Sequence, residues 1–267
     1  MPTRPPMRRR AVTATGLLAL TGLLPVLARA RPSAAFDARR FPELLSSLGA
    51  RELFESPLLR LSGPDVAENG ASVPLGISTS LSGVSTLLLL AQNNPTPLLA
   101  LFRPFQAAEP DFSLQVKLVE SSDVHAVAIM SDGKACFARA QIQVVKGACG
   151  AWSAGPPAGP AEQYLPEPIR IRAQRVGDRV VVRALISHEM ESGQRQDGAG
   201  RLVPAHFIEE VLATHNGVTV LAAEWGPWVA KNPILRFELR GTHPGDQIEL
   251  SWRDNRGHSR SDSASVK

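Results

Sequence analysis

Past its first thirty residues the chain has no apolar run approaching the roughly 18 residues that cross a membrane as a helix. It has little charge of one sign: the formal net charge is +4 over 267 residues. Many of its arginines fall in the N-terminal leader and the C-terminal tail. Aromatics make up only 5% of the residues and no basic stripe is interleaved with them, which argues against nucleic-acid binding. Signatures of catalysis are missing as well. His188-Glu189-Met190-Glu191-Ser192 begins like a zinc-protease helix, but Ser192 stands where H-E-x-x-H needs its second histidine. Gly150-Ala151-Trp152-Ser153-Ala154-Gly155 is not G-x-S-x-G, and Cys149-Gly150-Ala151-Trp152 lacks the second cysteine of the papain-type signature. There is no haem-attachment motif, P-loop or dinucleotide fingerprint. The histidines His125, His188, His206, His215, His243 and His258 show no metal-ligand spacing and read as surface or hydrogen-bonded residues. No enzymatic activity, cofactor or metal is expected.

What is present begins with an export signal at residues 1–30. Arg8, Arg9 and Arg10 form a basic region, 11–27 is mildly apolar, and Ala28-Arg29-Ala30 is an A-x-A cleavage site. Paired arginines before a weak apolar core favour the twin-arginine route. The expected mature chain starts at Arg31 and is periplasmic, in an oxidising compartment, with no membrane contact after cleavage.

The only cysteines, Cys136 and Cys149, sit in contrasting settings. Within 134–144, Cys136, Ala138, Ala140, Ile142 and Val144 alternate with more polar residues, which places Cys136 on the inward face of a strand. Cys149 follows that strand in Lys146-Gly147-Ala148-Cys149-Gly150-Ala151. Gly147, Ala148, Gly150 and Ala151 give the sulfur almost no side-chain cover, and glycine lets the backbone bend freely. This reads as a thiol presented for chemistry on an arm. The alternative is a disulfide with Cys136, which requires the arm to fold back.

Residues 41–54 carry apolar positions at helical spacing and read as a short helix. Strand-like runs follow at 58–61, 72–78, 85–90, 113–119, 124–130 and 135–145, separated by turn residues such as Asp132-Gly133, a strong hairpin signal. A linker at 152–168 holds Gly155-Pro156-Pro157-Ala158-Gly159-Pro160 and cannot pair as a strand. A second set of runs lies at 169–172, 179–186, 217–225, 234–240 and 247–253. Residues 204–212 read as a helical turn or a short strand, and 259–267 as a frayed polar tail. The expected fold is all-β: an antiparallel sandwich over 31–151, the linker, and a second sandwich over 169–267.

Several stretches carry a resemblance to a known family. Val66-Ala67-Glu68-Asn69-Gly70-Ala71-Ser72-Val73-Pro74, Asn94-Pro95-Thr96-Pro97, Asp132-Gly133 and Gly147-Ala148-Cys149-Gly150-Ala151 resemble SoxY, the sulfur-carrying subunit of the thiosulfate-oxidising Sox system. His188-Glu189-Met190-Glu191-Ser192-Gly193 with Arg195, then Asn216-Gly217, Asn232-Pro233 and Trp252-Arg253-Asp254-Asn255-Arg256-Gly257, resemble its partner SoxZ. The resemblance implies two immunoglobulin-like sandwiches that pair within one chain. It implies a carrier in which Cys149 holds sulfur intermediates covalently for periplasmic sulfur-oxidation enzymes. Fused carriers of this length also resemble a branch found beside quinoprotein (PQQ-dependent) alcohol dehydrogenases, which makes such a system the alternative partner. Two glycines of the family's cysteine motif are Ala148 and Ala151 here, and the chain continues beyond it.

Overall fold

The expected helix over 41–54 is only half formed. In a computed structural model, which describes residues 34–145 and 164–267, a 3-10 turn at Ala34–Asp37 leads into α1, Phe41–Ser47. The helix stops because Gly49 takes φ +78°, the left-handed conformation that ends helices. Residues beyond it form a strand instead, β1 (Glu52–Glu55), whose register runs parallel to residues 134–137. Its Glu-Leu-Phe-Glu sequence is exposed throughout, as an edge strand can be, and its two central apolar residues also fit a helix face.

The rest of the N-terminal half is β2 (Leu59–Ser62), β3 (Val66–Ala67), β4 (Val73–Thr79), β5 (Val84–Ala91), β6 (Leu98–Pro104), β7 (Ala108–Val116), β8 (Ser122–Met130) and β9 (Lys134–Val144). The C-terminal half is β10 (Arg170–Val176), β11 (Arg179–Leu185), β12 (Ile208–His215), β13 (Val218–Trp225), β14 (Ile234–Arg240), β15 (Gln247–Asp254) and β16 (Ser259–Ser265). The all-β expectation holds, with immunoglobulin-like sandwich halves. Asp132-Gly133 turns β8 into β9 with Gly133 at φ +87°, and Asn216-Gly217 turns β12 into β13 with both residues at positive φ. Residues 204–212 contribute a strand rather than a helical turn, since β12 spans Ile208–His215. The tail expected to fray is β16, paired along its length with β15. Lys267 N donates to Ala173 O at 3.0 Å and Arg175 N to Lys267 O at 3.1 Å, so the tail also ties into β10.

The two halves share their sheets. One sheet runs β1-β9-β8-β5-β6-β13-β12-β15-β16, the other β10-β11-β14-β7-β4-β2. The crossings are β6 against β13, with Ala100 opposite Trp225 and Pro104 opposite Leu221, and β7 against β14, with Phe112 opposite Phe237. A single apolar core lies between the sheets and draws on both halves, from Leu59 to Val266. At the seam Phe102 and Phe112 stack with ring centroids 4.9 Å apart. A second apolar cluster covers the outer face of β5, β6 and β8, where Leu44 and Leu45 of α1 meet Leu88, Leu90, Leu101 and Val127. The run Leu87-Leu88-Leu89-Leu90 is therefore buried on both faces. No helix among the described residues is long and apolar enough to cross a membrane.

Candidate functional site

Cys149 and its neighbours Gly147, Ala148, Gly150 and Ala151 lie outside the described residues, as do residues 1–30, where an export signal is expected, and linker residues 152–163. The geometry that bears on the arm is that of its two roots. The upstream root is the end of β9. Gln143 N donates to Asp65 O at 2.9 Å, Val145 N to Ala67 O at 3.1 Å and Val144 N to Ser121 Oγ at 3.0 Å. Short β3 pairs in parallel with residues 143–144. The chain then turns at Asn69, whose Oδ1 accepts from Ala71 N at 2.9 Å, and passes against Leu118. Gly70 is required there: a Cβ would lie 2.5 Å from Leu118 O and 2.9 Å from a Val144 methyl. The Val66–Pro74 motif is therefore a clamp on the end of the strand that leads toward Cys149.

From this root a chain of hydrogen bonds crosses into the C-terminal half. Asn94 is buried; its Nδ2 donates to Lys117 O at 2.8 Å and its Oδ1 accepts from Val119 N at 3.3 Å. Thr96 Oγ1 accepts from Trp228 Nε1 at 2.8 Å, and Lys117 N donates to Trp228 O at 2.6 Å. Lys117 is 9% exposed, and its Nζ donates to the carbonyls of Pro227, at 3.2 Å, and Met190. Burial pushes its pKa down to about 8, with Glu191 and Glu189 pulling weakly the other way. Met190 sits at φ +49° in the His188–Gly193 motif, which is locked in turn by Asn232: His188 N donates to Asn232 Oδ1 at 3.0 Å. The motifs at 66–74, 94–97, 188–193 and 232–233 thus meet around one seam. Asp132-Gly133 does not join them. It lies at the other end of β9, about 35 Å away at ~3.3 Å per residue.

The downstream root is Tyr164, the first described residue after the segment that holds Cys149. Its ring stands edge-on to three histidines, with centroids 4.9 Å from His206, 5.0 Å from His258 and 5.8 Å from His188. Burial, with Asp254 next, pushes its hydroxyl pKa up to about 12. The fold thus gathers histidines that sequence spacing left apart, and the carboxylate of Asp254 lies among them. Burial favours the protonated acid, but hydrogen bonds from the histidines and from backbone N–H outweigh it and hold Asp254 well below the usual carboxylate range. For His206 burial wins over the Asp254 bond and its pKa is lowered.

Cys136 is where alternation puts it, opposite Ala128 with no exposure, and burial pushes its thiol pKa up. A cleft of about 500 Å³ opens on the other sheet, lined by Arg60, Glu109, Asp111, Arg179 and Arg240 among others. Its charges largely neutralise one another: Arg240 pairs with Glu109, Arg179 with Glu238 at 3.0 Å, and Arg236 with Asp111 at 2.9 Å.

The family comparisons agree with this layout. Residues 45–149 match the model of sulfur oxidation protein SoxY, and residues 169–265 that of sulphur oxidation protein SoxZ. The chain is a SoxY domain and a SoxZ domain in tandem. Among solved structures, the sulfur carrier protein SoxY from Chlorobium limicola f thiosulfatophilum is similar at 25% identity, covering 39% of this chain and 94% of its own, with a TM-score of 0.36. A superoxide reductase (neelaredoxin) from Ignicoccus hospitalis is similar at 18% identity, covering 33% of this chain and 80% of its own, with a TM-score of 0.30. TM-scores this low leave the assignment with the two family matches. No curated protein matches the chain. SoxY and SoxZ domains carry a role in sulfur oxidation as carrier proteins, and the SoxY–SoxZ pairing within this chain is the strand pairing of β6 with β13 and β7 with β14.

Proposed function

We propose that the chain is a periplasmic carrier, exported by the twin-arginine route, which holds sulfur intermediates covalently on Cys149 and presents them to sulfur-oxidation enzymes. The observation that carries this reading is the burial of Cys136. Of two cysteines in a SoxY domain, one is sealed in the core, and the SoxY match runs to Cys149 itself. A disulfide between the two is disfavoured by reach. Cys136 lies eight residues, or about 26 Å, before the end of β9, and the five residues from Val144 to Cys149 extend back about 18 Å at most. The remaining gap of about 8 Å exceeds the Cα separation that a disulfide tolerates.

The chemistry is exchange at sulfur. The Cys149 thiolate attacks a divalent sulfur electrophile, an S–S bond forms, and the leaving group, a thiolate from an organic trisulfide or thiosulfate from tetrathionate, departs with the electron pair of the bond that breaks. No external oxidant is consumed, and the reverse exchange releases the cargo. Loading the mature protein with tetrathionate or an organic trisulfide, followed by intact mass spectrometry, tests the proposal. A single adduct on Cys149 is expected. Cys149→Ser abolishes it, because a hydroxyl forms no such bond. Cys136→Ser retains it and loses about 1–3 kcal/mol of stability from a hydroxyl in the apolar core. An adduct that survives Cys149→Ser would sink the assignment.

A further inference from the structure

Three histidines converge on one buried carboxylate. Asp254 ends β15 and has no exposure. Its Oδ1 accepts from the backbone N–H of Arg256 at 2.9 Å and of His258 at 2.8 Å, which leaves Oδ2 to face the imidazoles. His206 Nε2 lies 2.7 Å from Oδ2, His258 Nδ1 2.9 Å and His188 Nε2 3.6 Å. The ligand atoms of His188, His206 and Asp254 all fall within 4.8 Å of one another.

The three rings have different freedom. His188 Nδ1 accepts a hydrogen bond from Met190 N at 3.0 Å, so the proton of the neutral ring sits on Nε2. That N–H is fully buried and has no hydrogen-bond partner among the described residues. It faces Asp254 Oδ2 at 3.6 Å, just beyond hydrogen-bond reach. Among the described residues, His206 and His258 are not fixed at their other ring nitrogens by any such bond. Each can move its proton there and turn a lone pair toward Oδ2.

We propose that His206 Nε2, Asp254 Oδ2 and His258 Nδ1 form a binding site for a zinc-like divalent cation, with a fourth position open to water. Two imidazoles and a carboxylate are a zinc-type donor set, and tetrahedral bonds of about 2.0–2.1 Å put ligand atoms about 3.3 Å apart. His206 Nε2 and His258 Nδ1 lie 2.7 and 2.9 Å from Asp254 Oδ2, and their ring centroids are 5.6 Å apart, so a bound cation would draw the two rings onto the carboxylate from either side. His188 Nε2–H then acts as an outer donor to the coordinated carboxylate, the usual support of a metal-bound oxygen. A dication also compensates a carboxylate that is costly to bury. An entry path exists, since the His258 side chain is 35% exposed while those of His188 and Asp254 are at 0%. Tyr164 walls the site on the side where the chain returns from the Cys149 segment.

The test uses the mature chain with Cys149→Ser, which removes thiolate binding. Metal is stripped with a chelator, and Zn²⁺ is titrated against a chromophoric competitor. One zinc per chain is expected. His258→Ala should weaken it by more than about 100-fold, beyond what loss of an outer partner does, with the metal-free protein still folded by circular dichroism. The Co²⁺ form should show intense visible absorption of a four-coordinate site, lost in the same variant. If His258→Ala misfolds, His258→Gln gives the same reading. His215→Ala, which removes a histidine outside the cluster, paired with Asp246 at 2.7 Å, should leave zinc binding unchanged. Absence of stoichiometric binding, affinity indifferent to His258, or loss with His215→Ala would each overturn the proposal.

Discussion

Lys117→Met is the sharpest probe of how the two halves are joined. The ammonium is buried at the seam, held by two carbonyls of the C-terminal half and by no carboxylate in direct contact among the described residues. Burial lowers its pKa from 10.5 to about 8. At 1.36 kcal/mol per unit, that shift corresponds to about 3 kcal/mol by which the charged form is disfavoured in the folded state. The sign follows from proton counting. Between pH 8 and 10.5 the unfolded chain holds the proton and the folded chain has released it, so unfolding free energy rises with pH across that window. Below about pH 8 both states are protonated and the full penalty is present. Methionine removes the penalty but leaves the Met190 and Pro227 carbonyls without a donor, at about 1–3 kcal/mol for an orphaned group. At pH 7 the two effects nearly cancel, so a single stability value decides nothing. The difference between wild type and variant decides. Urea unfolding from pH 7 to 10.5 should show wild type gaining up to about 3 kcal/mol over Lys117→Met, with a slope no steeper than about 1.4 kcal/mol per pH unit. Other lysines and the tyrosine titrate in both proteins and drop out of the difference. A difference that stays flat across the window means that the ammonium is solvated and the seam is wet.

Two further predictions concern the arm's root and the seam. Gly70→Ala forces a methyl to 2.5 Å from a backbone oxygen and should cost about 1–3 kcal/mol by overpacking, read as a fall in melting temperature; unchanged stability would show that the clamp on β9 is loose. Protein cleaved once within 154–163 should run as one two-chain complex on gel filtration, because two strand pairings and a shared core hold the halves over more than ~1,000 Å²; elution as two stable monomers would refute the continuous sheets.

How far the fold could be read depended on where each strand's partners lie. Strand β9 was legible because one face is buried and the other wet, so Cys136, Ile142 and Val144 alternate with Arg139, Gln141 and Gln143. Strand β6 was missed. Leu98 and Leu101 pack under the helix while Leu99 and Phe102 enter the core, so both faces are apolar and no alternation appears. Strand β16 was missed for the opposite reason. Its side chains are polar on both faces, and it is held by the β15 ladder and by Val266, which is buried. Strand β1 read as helix because its partner is β9, which no local pattern reveals. The same holds for the histidine cluster: His188, His206, Asp254 and His258 come from three separate stretches of sequence, and the fold joins them at the Asp254 carboxylate.

The shared sheets explain why a carrier half and a support half belong on one chain. Alone, the N-terminal half would expose β6 and β7, and the C-terminal half β13 and β14, each with unpaired N–H and C=O groups along an apolar strand. Such edges recruit other strands. The motif residues close this liability: Asn94 and Thr96 position Lys117 and Trp228, and Lys117 reaches Met190 in the His188–Gly193 motif. A tether holds the partner at an effective concentration in about the millimolar range, so the edges are covered even in dilute solution. The same bonds reach the arm's upstream root. Leu118, the residue after Lys117, accepts the close approach of Gly70, and its N–H donates to Gly70 O at 2.8 Å. The position from which the segment bearing Cys149 departs is therefore set by contacts from both halves, and a substitution on the C-terminal side of the seam should be felt at the root of the arm without touching the cysteine.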